Sequence, residues 1–298
     1  MVCTRRDRVS VLERARATAR QLNAQGRARV LLPETEDPRI TEAARHLKDE
    51  GLAQPLSLAD AAPTAAYVDL LLARRPGLKP ALALRMLDKP LIRAAAMVAA
   101  SHADALVAGV LNPTRRVIEA ASLAIGLDDA ITTPSSFFLM RLPDGTELVF
   151  ADCAVTTDPN AAQLADIARA SAASATALLG QARLALLSYS TGTSGAGPSV
   201  DKVRAAALAS GFPGPVQADA ALNAAIAARK GHAAPPANTL IFPSLDAGNI
   251  AYKLLQELGG AQAIGPFLQG FRRPVCDLSR GASVDDFVAA TVITLART

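Results

Sequence analysis

The chain has 298 residues, half of them hydrophobic, with 19% charged and 4% aromatic side chains and a formal net charge of +4, enough apolar material for one large core or two of ordinary domain size. No uninterrupted apolar run approaches the ~20 residues needed to cross a bilayer, and the first thirty residues lack the apolar core of a secretory signal, so a cytoplasmic protein is expected. Cys3, Cys153 and Cys276 are scattered without a CxxC pair, and His46, His102 and His232 stand in no ligand spacing, which excludes a disulfide framework and a structural zinc site.

In chain order, the first thirty residues carry Arg5, Arg6, Arg8, Arg14, Arg16, Arg20, Arg27 and Arg29 against Asp7 and Glu13, with no aromatic residue. That reads as a solvated amphipathic helix, not a nucleic-acid platform. Val30-Leu31-Leu32 reads as a first strand ending at Pro33. Asp37 caps the next helix, with Pro38 at its first position, Ile40, Ala43, Ala44 and Leu47 on one face, and Gly51 as terminator. This turn presents Glu34, Thr35 and Glu36 at a sheet's carboxyl end, where open α/β sheets bind ligands. A helix is expected through Ile92 to Ala100 and a buried strand over Ala105 to Ala108. Two strands, Phe137 to Met140 and Leu148 to Phe150, flank the turn residues Pro143-Asp144-Gly145. Arg183 to Tyr189 reads as a strand, Asp201 to Ala209 as a helix, Leu240 to Phe242 as a strand, Asp246 to Asn249 as a turn and Ala251 to Leu258 as a helix. The alternation argues for an α/β protein with a largely parallel sheet. Cys153, in an apolar stretch, reads as a small buried hydrophobe.

Two stretches carry chemistry. Ser279-Arg280-Gly281, followed by Asp286, sets a hydroxyl, a fixed cation and a carboxylate together before an amphipathic segment of Val284, Phe287, Val288, Val292 and Leu295. Arginine binds phosphoryl groups bidentately, a hydroxyl donates to a carbonyl or phosphate oxygen, and a carboxylate takes a proton. Ser283-x-x-Asp286 is also a capping box, and taken alone that reading is the more economical. The loop from Ser188 to Gly197 follows a strand with many hydroxyls and flexible backbone, which suits a phosphate or acyl-phosphate oxygen cluster. It lacks the lysine of a Walker loop and does not spell GxGxxG. Asp246, Gly248, Asn249, Tyr252 and Lys253 read as a helix cap with an amphipathic first turn.

In order and spacing, Leu32-Pro33-Glu34-Thr35-Glu36-Asp37, Phe150-Ala-Asp152-Cys153, Leu187-Ser-Tyr-Ser-Thr-Gly192-Thr-Ser-Gly-Ala-Gly197, Gln217-Ala-Asp219, Phe242-Pro-Ser-Leu-Asp246-Ala-Gly248-Asn249, Ala251-Tyr252-Lys253, Gly265-Pro266-Phe-Leu-Gln269-Gly270 and Asp277-Leu-Ser279-Arg280-Gly281 resemble the phosphate acetyltransferase and phosphate butyryltransferase family. The resemblance implies two α/β lobes, three-layer α/β/α in the isocitrate/isopropylmalate-dehydrogenase-like class, with a cleft between them and a homodimeric state. Residues 1–129 plus 266–298 would form one lobe and 130–265 the other.

The implied reaction is reversible transfer of an acetyl group between coenzyme A and inorganic phosphate. Coenzyme A is then a substrate, and no tightly bound cofactor, metal, nucleic acid or membrane is expected. Asp286 would take the thiol proton, Arg280 bind phosphate and Ser279 stabilise the oxyanion. Substrate contacts are expected from Ser135, Ser190, Thr191, Gly192, Asp246, Asn249, Tyr252, Lys253, Gln269, Arg115 and Arg116. Two departures stand out: the family usually carries arginines where this chain has Leu71 and Glu119. Arg74, Arg75, Arg115 and Arg116 are near enough to substitute, and Arg93 more remotely. A propionyl or butyryl phosphate acyltransferase and a catalytically weak paralogue with a binding or regulatory role are the alternatives. A nicotinamide-linked hydroxyacid dehydrogenase lacks a dinucleotide fingerprint or a metal-binding carboxylate cluster.

Overall fold

The computed structural model describes residues 9–60, 64–231 and 234–297. Cys3, Arg5, Arg6, Asp7, Arg8 and His232 lie outside the described residues. The chain divides into two compact units, one of Val11–Asp128 with Gly265–Thr298, the other of Asp129–Ile264 with Val9 and Ser10. Among the described residues, no helix is long and apolar enough to cross a membrane.

The first stretch runs α1 (Val11–Ala24), β1 (Arg29–Leu31), α2 (Pro38–Asp49), β2 (Gln54–Leu56), α3 (Val68–Arg74), α4 (Pro80–Leu87), α5 (Pro90–Ala99), β3 (Ala105–Ala108) and α6 (Thr114–Ala120). The middle stretch holds β4 (Ser135–Arg141), β5 (Glu147–Ala151), α7 (Ala161–Leu179), β6 (Leu184–Leu186), α8 (Pro198–Ser210), α9 (Ala218–Leu222), α10 (Ala224–Arg229), β7 (Thr239–Ile241) and α11 (Leu245–Gly259). Then β8 (Gln262–Gln269) carries the chain out of the middle unit, and β9 (Val275–Asp277) and α12 (Val284–Leu295) complete the other.

In the unit that holds both ends of α1–α12, the strand order is β2-β1-β3-β9-β8. All pairs are parallel except β8 with β9. β3 is buried at every residue, as a continuous Ala-Leu-Val-Ala run in a parallel sheet should be. Asp37 caps α2 as read, accepting from the Arg39 N–H at 2.9 Å, with Pro38 at its start. Ser283 and Asp286 form the capping box of α12. The amphipathic stripe expected there is corrected: every residue from Phe287 to Leu295 is buried. This helix packs against α1, α2, β3 and β9, so it has no solvated face beyond its first turn. Each large apolar side chain it buries contributes roughly 1.5–3 kcal/mol.

The other unit orders its strands β8-β4-β5-β7-β6. β4 and β5 form the expected hairpin, Phe137 opposite Ala151, with the turn closed by Gly145 N–H to Leu142 O at 2.9 Å and Thr146 N–H to Asp144 Oδ1 at 2.8 Å. β5, β7 and β6 pair in parallel. The core gathers Phe138, Met140, Phe150, Leu240 and Phe242. Cys153 is buried within it, and burial, with the neighbouring Asp152, pushes its thiol well up. Two sequence expectations are corrected. β6 spans only Leu184–Leu186, because its partner β7 is three residues long and Leu187 passes to a single bridge with Val216. Asp246 to Asn249 is no turn but the start of α11, capped by Ser244, whose hydroxyl accepts from the Ala247 N–H at 3.3 Å. Gly248 reads as turn punctuation in the sequence, yet its purpose is contact: a Cβ there would collide with the Asp152 carbonyl.

Candidate active site

The Ser279-Arg280-Gly281 turn is exposed at the carboxyl end of β9. Its root is fixed by Leu278, whose N–H donates to Ala108 O at 2.6 Å. The turn closes with Ala282 N–H to Ser279 O at 3.0 Å, and Gly281 N–H reaches Ser279 Oγ at 3.3 Å. Arg39, which sequence reasoning missed, grips it from α2. Its Nη1 donates to the carbonyls of Arg280 (3.0 Å) and Ala282 (2.7 Å), while Nε and Nη2 pair bidentately with Asp37 at 3.0 and 2.7 Å. That pairing lowers the Asp37 carboxyl and raises the Arg39 guanidinium. A bidentate fork of this kind fixes the geometry of both partners. The signal was present in the sequence as the cap Asp37, but its service to a turn 241 residues away was not.

Asp286 sits on the first turn of α12. Its Oδ2 accepts from the Ser283 N–H at 3.0 Å and the Ser283 hydroxyl at 2.9 Å, and its own N–H donates to Ser283 Oγ at 3.2 Å. The capping reading therefore holds, and its bonds engage one oxygen of the carboxylate.

Glu34, which the sequence placed at a ligand-binding sheet end without a role of its own, is the second residue whose part sequence reasoning missed. It is 3% exposed and accepts from four successive backbone amides, Gly109 (2.7 Å), Val110 (2.9 Å), Leu111 (3.1 Å) and Asn112 (2.8 Å), and from Asn112 Nδ2 at 2.8 Å. It thereby shapes the loop between β3 and α6. Beside that loop lies a cavity of about 430 Å³, lined among others by Glu36, Lys89, Leu91, Leu111, Arg116 and Glu119. Arg116 Nη1 pairs with Glu119 Oε2 at 2.9 Å, so the acid that stands where an arginine was expected forms an exposed ion pair along its own helix. Arg115 is exposed on the same helix. Leu71, the other departure, is fully buried. Arg74 packs where a Cβ on Gly126 would stand. Gln269 is buried at the end of β8.

The remaining candidates belong to the middle unit. Ser135 is buried at the head of β4, and next to it Ser136 donates through N–H and Oγ to buried Asp152. Asp152 also takes the amides of Ala154 (3.0 Å) and Thr156 (2.7 Å). In the loop after β6, Ser190 and Thr191 are buried: Ser190 Oγ accepts from Gly195 N–H within the loop at 2.8 Å, and Thr191 Oγ1 accepts from Gln217 N–H, ahead of α9, at 3.0 Å. Gly192 takes φ +58°, a left-handed turn suited to glycine. Asn249 donates to Cys153 O at 3.2 Å. Tyr252 stacks on Phe138 with centroids 4.3 Å apart, and exposed Lys253 lies 5.2 Å from the Tyr252 ring centre. Asp246 is exposed. The structure thus joins Tyr252 to the core and Asn249 to the Asp152-Cys153 segment. Among the described residues, no group of three His, Cys, Asp or Glu side chains could hold a metal ion.

Residues 60–295 match the sequence profile of a family described as phosphate acetyl/butaryl transferase. The phosphate acetyltransferase of Paracoccus denitrificans is 38% identical over 301 residues, covering 90% of this chain and 94% of that protein. That of Nitrosomonas europaea is 37% identical over 302 residues, covering 89% of this chain and 43% of that protein, so the chain spans less than half the length of this relative. The EutD phosphotransacetylase from Staphylococcus aureus superposes with a TM-score of 0.86 at 30% identity, over 96% of this chain and 98% of that one. By profile, sequence and fold, the chain belongs to the phosphate acetyl/butyryl transferase family.

Proposed function

We propose that the protein transfers an acetyl group reversibly between coenzyme A and inorganic phosphate. The observation that carries this reading is the exposed Ser279-Arg280-Gly281 turn, held by Arg39 and followed one helical turn later by Asp286. In the direction of thioester synthesis, Asp286 takes the thiol proton of coenzyme A and the thiolate sulfur bonds to the acetyl carbon. The carbon–oxygen bond to phosphate then breaks, and phosphate leaves against Arg280. Ser279 donates to the carbonyl oxygen as it gains charge. A free thiol near ~8.5 and an aspartate near ~3.9 differ by about 4.6 units, roughly 6 kcal/mol, so proton transfer runs in concert with attack.

Arg115 or Arg116 restores one of the phosphate contacts that Leu71 and Glu119 do not make, Arg116 by exchanging its Glu119 partner for a phosphate oxygen. Ser135, Ser190, Thr191, Gly192, Asp246, Asn249, Tyr252, Lys253 and Gln269 are assigned substrate contacts by family likeness, with coenzyme A as substrate and no tightly bound cofactor. The two compact units serve as the enzyme's two lobes. A homodimer is supported by α11, which exposes Ile250, Leu254 and Leu258 at four-residue intervals along one face, the spacing of a helix–helix seam. A cytoplasmic setting follows from the soluble substrates.

The alternative of a binding or regulatory paralogue is favoured by one observation, the Arg116–Glu119 pair in the cavity wall. Thioester absorbance with coenzyme A and acetyl, propionyl or butyryl phosphate separates the two. Turnover is expected to be fastest with acetyl phosphate and to fall about 10²–10³-fold in Arg280→Ala. No turnover of the unaltered protein on any of the three would favour binding.

A further inference from the structure

β9 ends in a carboxyl group that the acyl-transfer chemistry does not use. Asp277 is 1% exposed, and its Oδ1 has no hydrogen-bond partner. The Thr114 hydroxyl, at the first turn of α6, lies near enough to draw the carboxyl down against the effect of burial. Oδ1 lies against Gly109: a Cβ on that glycine would collide with it and would stand 2.6 Å from Leu278 O and 2.8 Å from Leu278 N. Gly109 takes φ +110°, which an L side chain rarely adopts. The same Gly109 gives its N–H to Glu34 Oε2 at 2.7 Å. Two buried acids therefore meet across one residue, and two residues beyond Asp277 the Ser279-Arg280 turn begins.

The two acids are treated very differently. Glu34 receives five hydrogen-bond donors. Asp277 is offered the Thr114 hydroxyl, and burial with the nearby Glu34 charge raises its carboxyl to about 7. Glu34 is the charged group that bears on it. The residues of β3, the paired Phe267 and Leu268 of β8, and the packed positions of α12 are uncharged, and the buried Cys276 thiol beside it is itself pushed up by burial.

We propose that Asp277 is a positioning residue: with its carboxyl protonated it seats the Gly109–Thr114 connection against the root of the Ser279-Arg280-Gly281 turn, and on ionisation it loosens that seat. The driving force is repulsion from the Glu34 carboxylate across Gly109 together with the cost of a buried charge that lacks donors. The sign follows from linkage. The folded value lies above the ~3.9 of an unfolded aspartate, so the stabilisation is complete below that pH and is lost as pH rises through about 7. The catalytic consequence rests on the acyl-transfer reading; the seating does not.

The test uses the full chain and Asp277→Asn, which is neutral at every pH and similar in shape. Amide hydrogen exchange over residues 109–112 and steady-state turnover of acetyl phosphate with coenzyme A are followed from pH 5.5 to 8.5. In the unaltered protein, protection corrected for intrinsic exchange is expected to fall about tenfold on passing pH 7, with KM for acetyl phosphate rising several-fold and kcat changing less. In Asp277→Asn both profiles should be flat. Thr114→Val removes a donor to the ionised form and should move the midpoint to higher pH, which keeps the test open if Asp277→Asn fails to fold. Profiles in Asp277→Asn that track the unaltered protein, or an unmoved midpoint in Thr114→Val, would overturn the proposal. A protein inactive on every acyl phosphate, with pH-dependent protection intact, would refute acyl transfer while supporting the seating.

Discussion

The loop after β3 and the loop after β6 both bring backbone amides to the carboxyl end of a parallel strand, and they are held in opposite ways. Residues 109–112 hand four consecutive N–H groups to one carboxylate that lies 75 residues earlier in the chain, Glu34. The Ser188–Gly197 loop is tied largely by its own hydroxyls: Ser190 N–H reaches Ser188 Oγ at 3.2 Å, Thr191 N–H reaches Ser194 Oγ at 3.0 Å, and Gly195 N–H reaches Ser190 Oγ at 2.8 Å, with Gln217 N–H on Thr191 Oγ1 at 3.0 Å and Gly192 N–H on Pro215 O at 3.0 Å from outside. A long-range clasp concentrates the cost of failure in one side chain, whereas a self-tied loop spreads it over several hydroxyls.

Replacement of Glu34 breaks that contrast most severely. Glu34→Ala leaves four backbone amides without that acceptor, of which Gly109 and Val110 are buried and cost about 1–3 kcal/mol each, so a loss on the order of 5 kcal/mol or outright failure to fold is expected in denaturant titration. Glu34→Gln, which keeps an acceptor oxygen, should lose less than half as much. At the small end, Ser190→Ala removes one acceptor from a loop with several, and about 1 kcal/mol is expected by the same titration. Equal losses in Glu34→Ala and Ser190→Ala would show that the two loops are not held differently after all.

The same contrast explains what the sequence discloses. Asp37-Pro38 and Ser283-x-x-Asp286 act within one helical turn, so the caps of α2 and α12 can be read from spacing alone, as can the Asp144-Gly145 hairpin turn. The residues of the Ser279-Arg280 motif are legible for a related reason, since hydroxyl, guanidinium and carboxylate fall within eight positions. Glu34, Arg39 and Asp277 act at sequence distances no local pattern encodes. Glu34 looks like one acid among Glu36 and Asp37, and Arg39 like an ordinary residue of a helix start. Asp246 to Asn249 misled because Gly-Asn is turn chemistry in isolation; the close approach to Asp152 that requires Gly248 exists only in the folded unit. The stripe expected on α12 failed likewise, because packing on four elements leaves no face for solvent.

The central claim is that Asp286 does chemistry as well as capping, and turnover of acetyl phosphate with coenzyme A in Asp286→Asn beside Ser283→Ala tests it most directly. Both substitutions disturb one capping box, and each should cost about 1 kcal/mol of stability. The account predicts that Asp286→Asn loses about 10²–10⁴-fold in kcat while Ser283→Ala stays within several-fold of the unaltered protein. Equal, modest losses in the two variants would contradict it and leave Asp286 a helix cap alone.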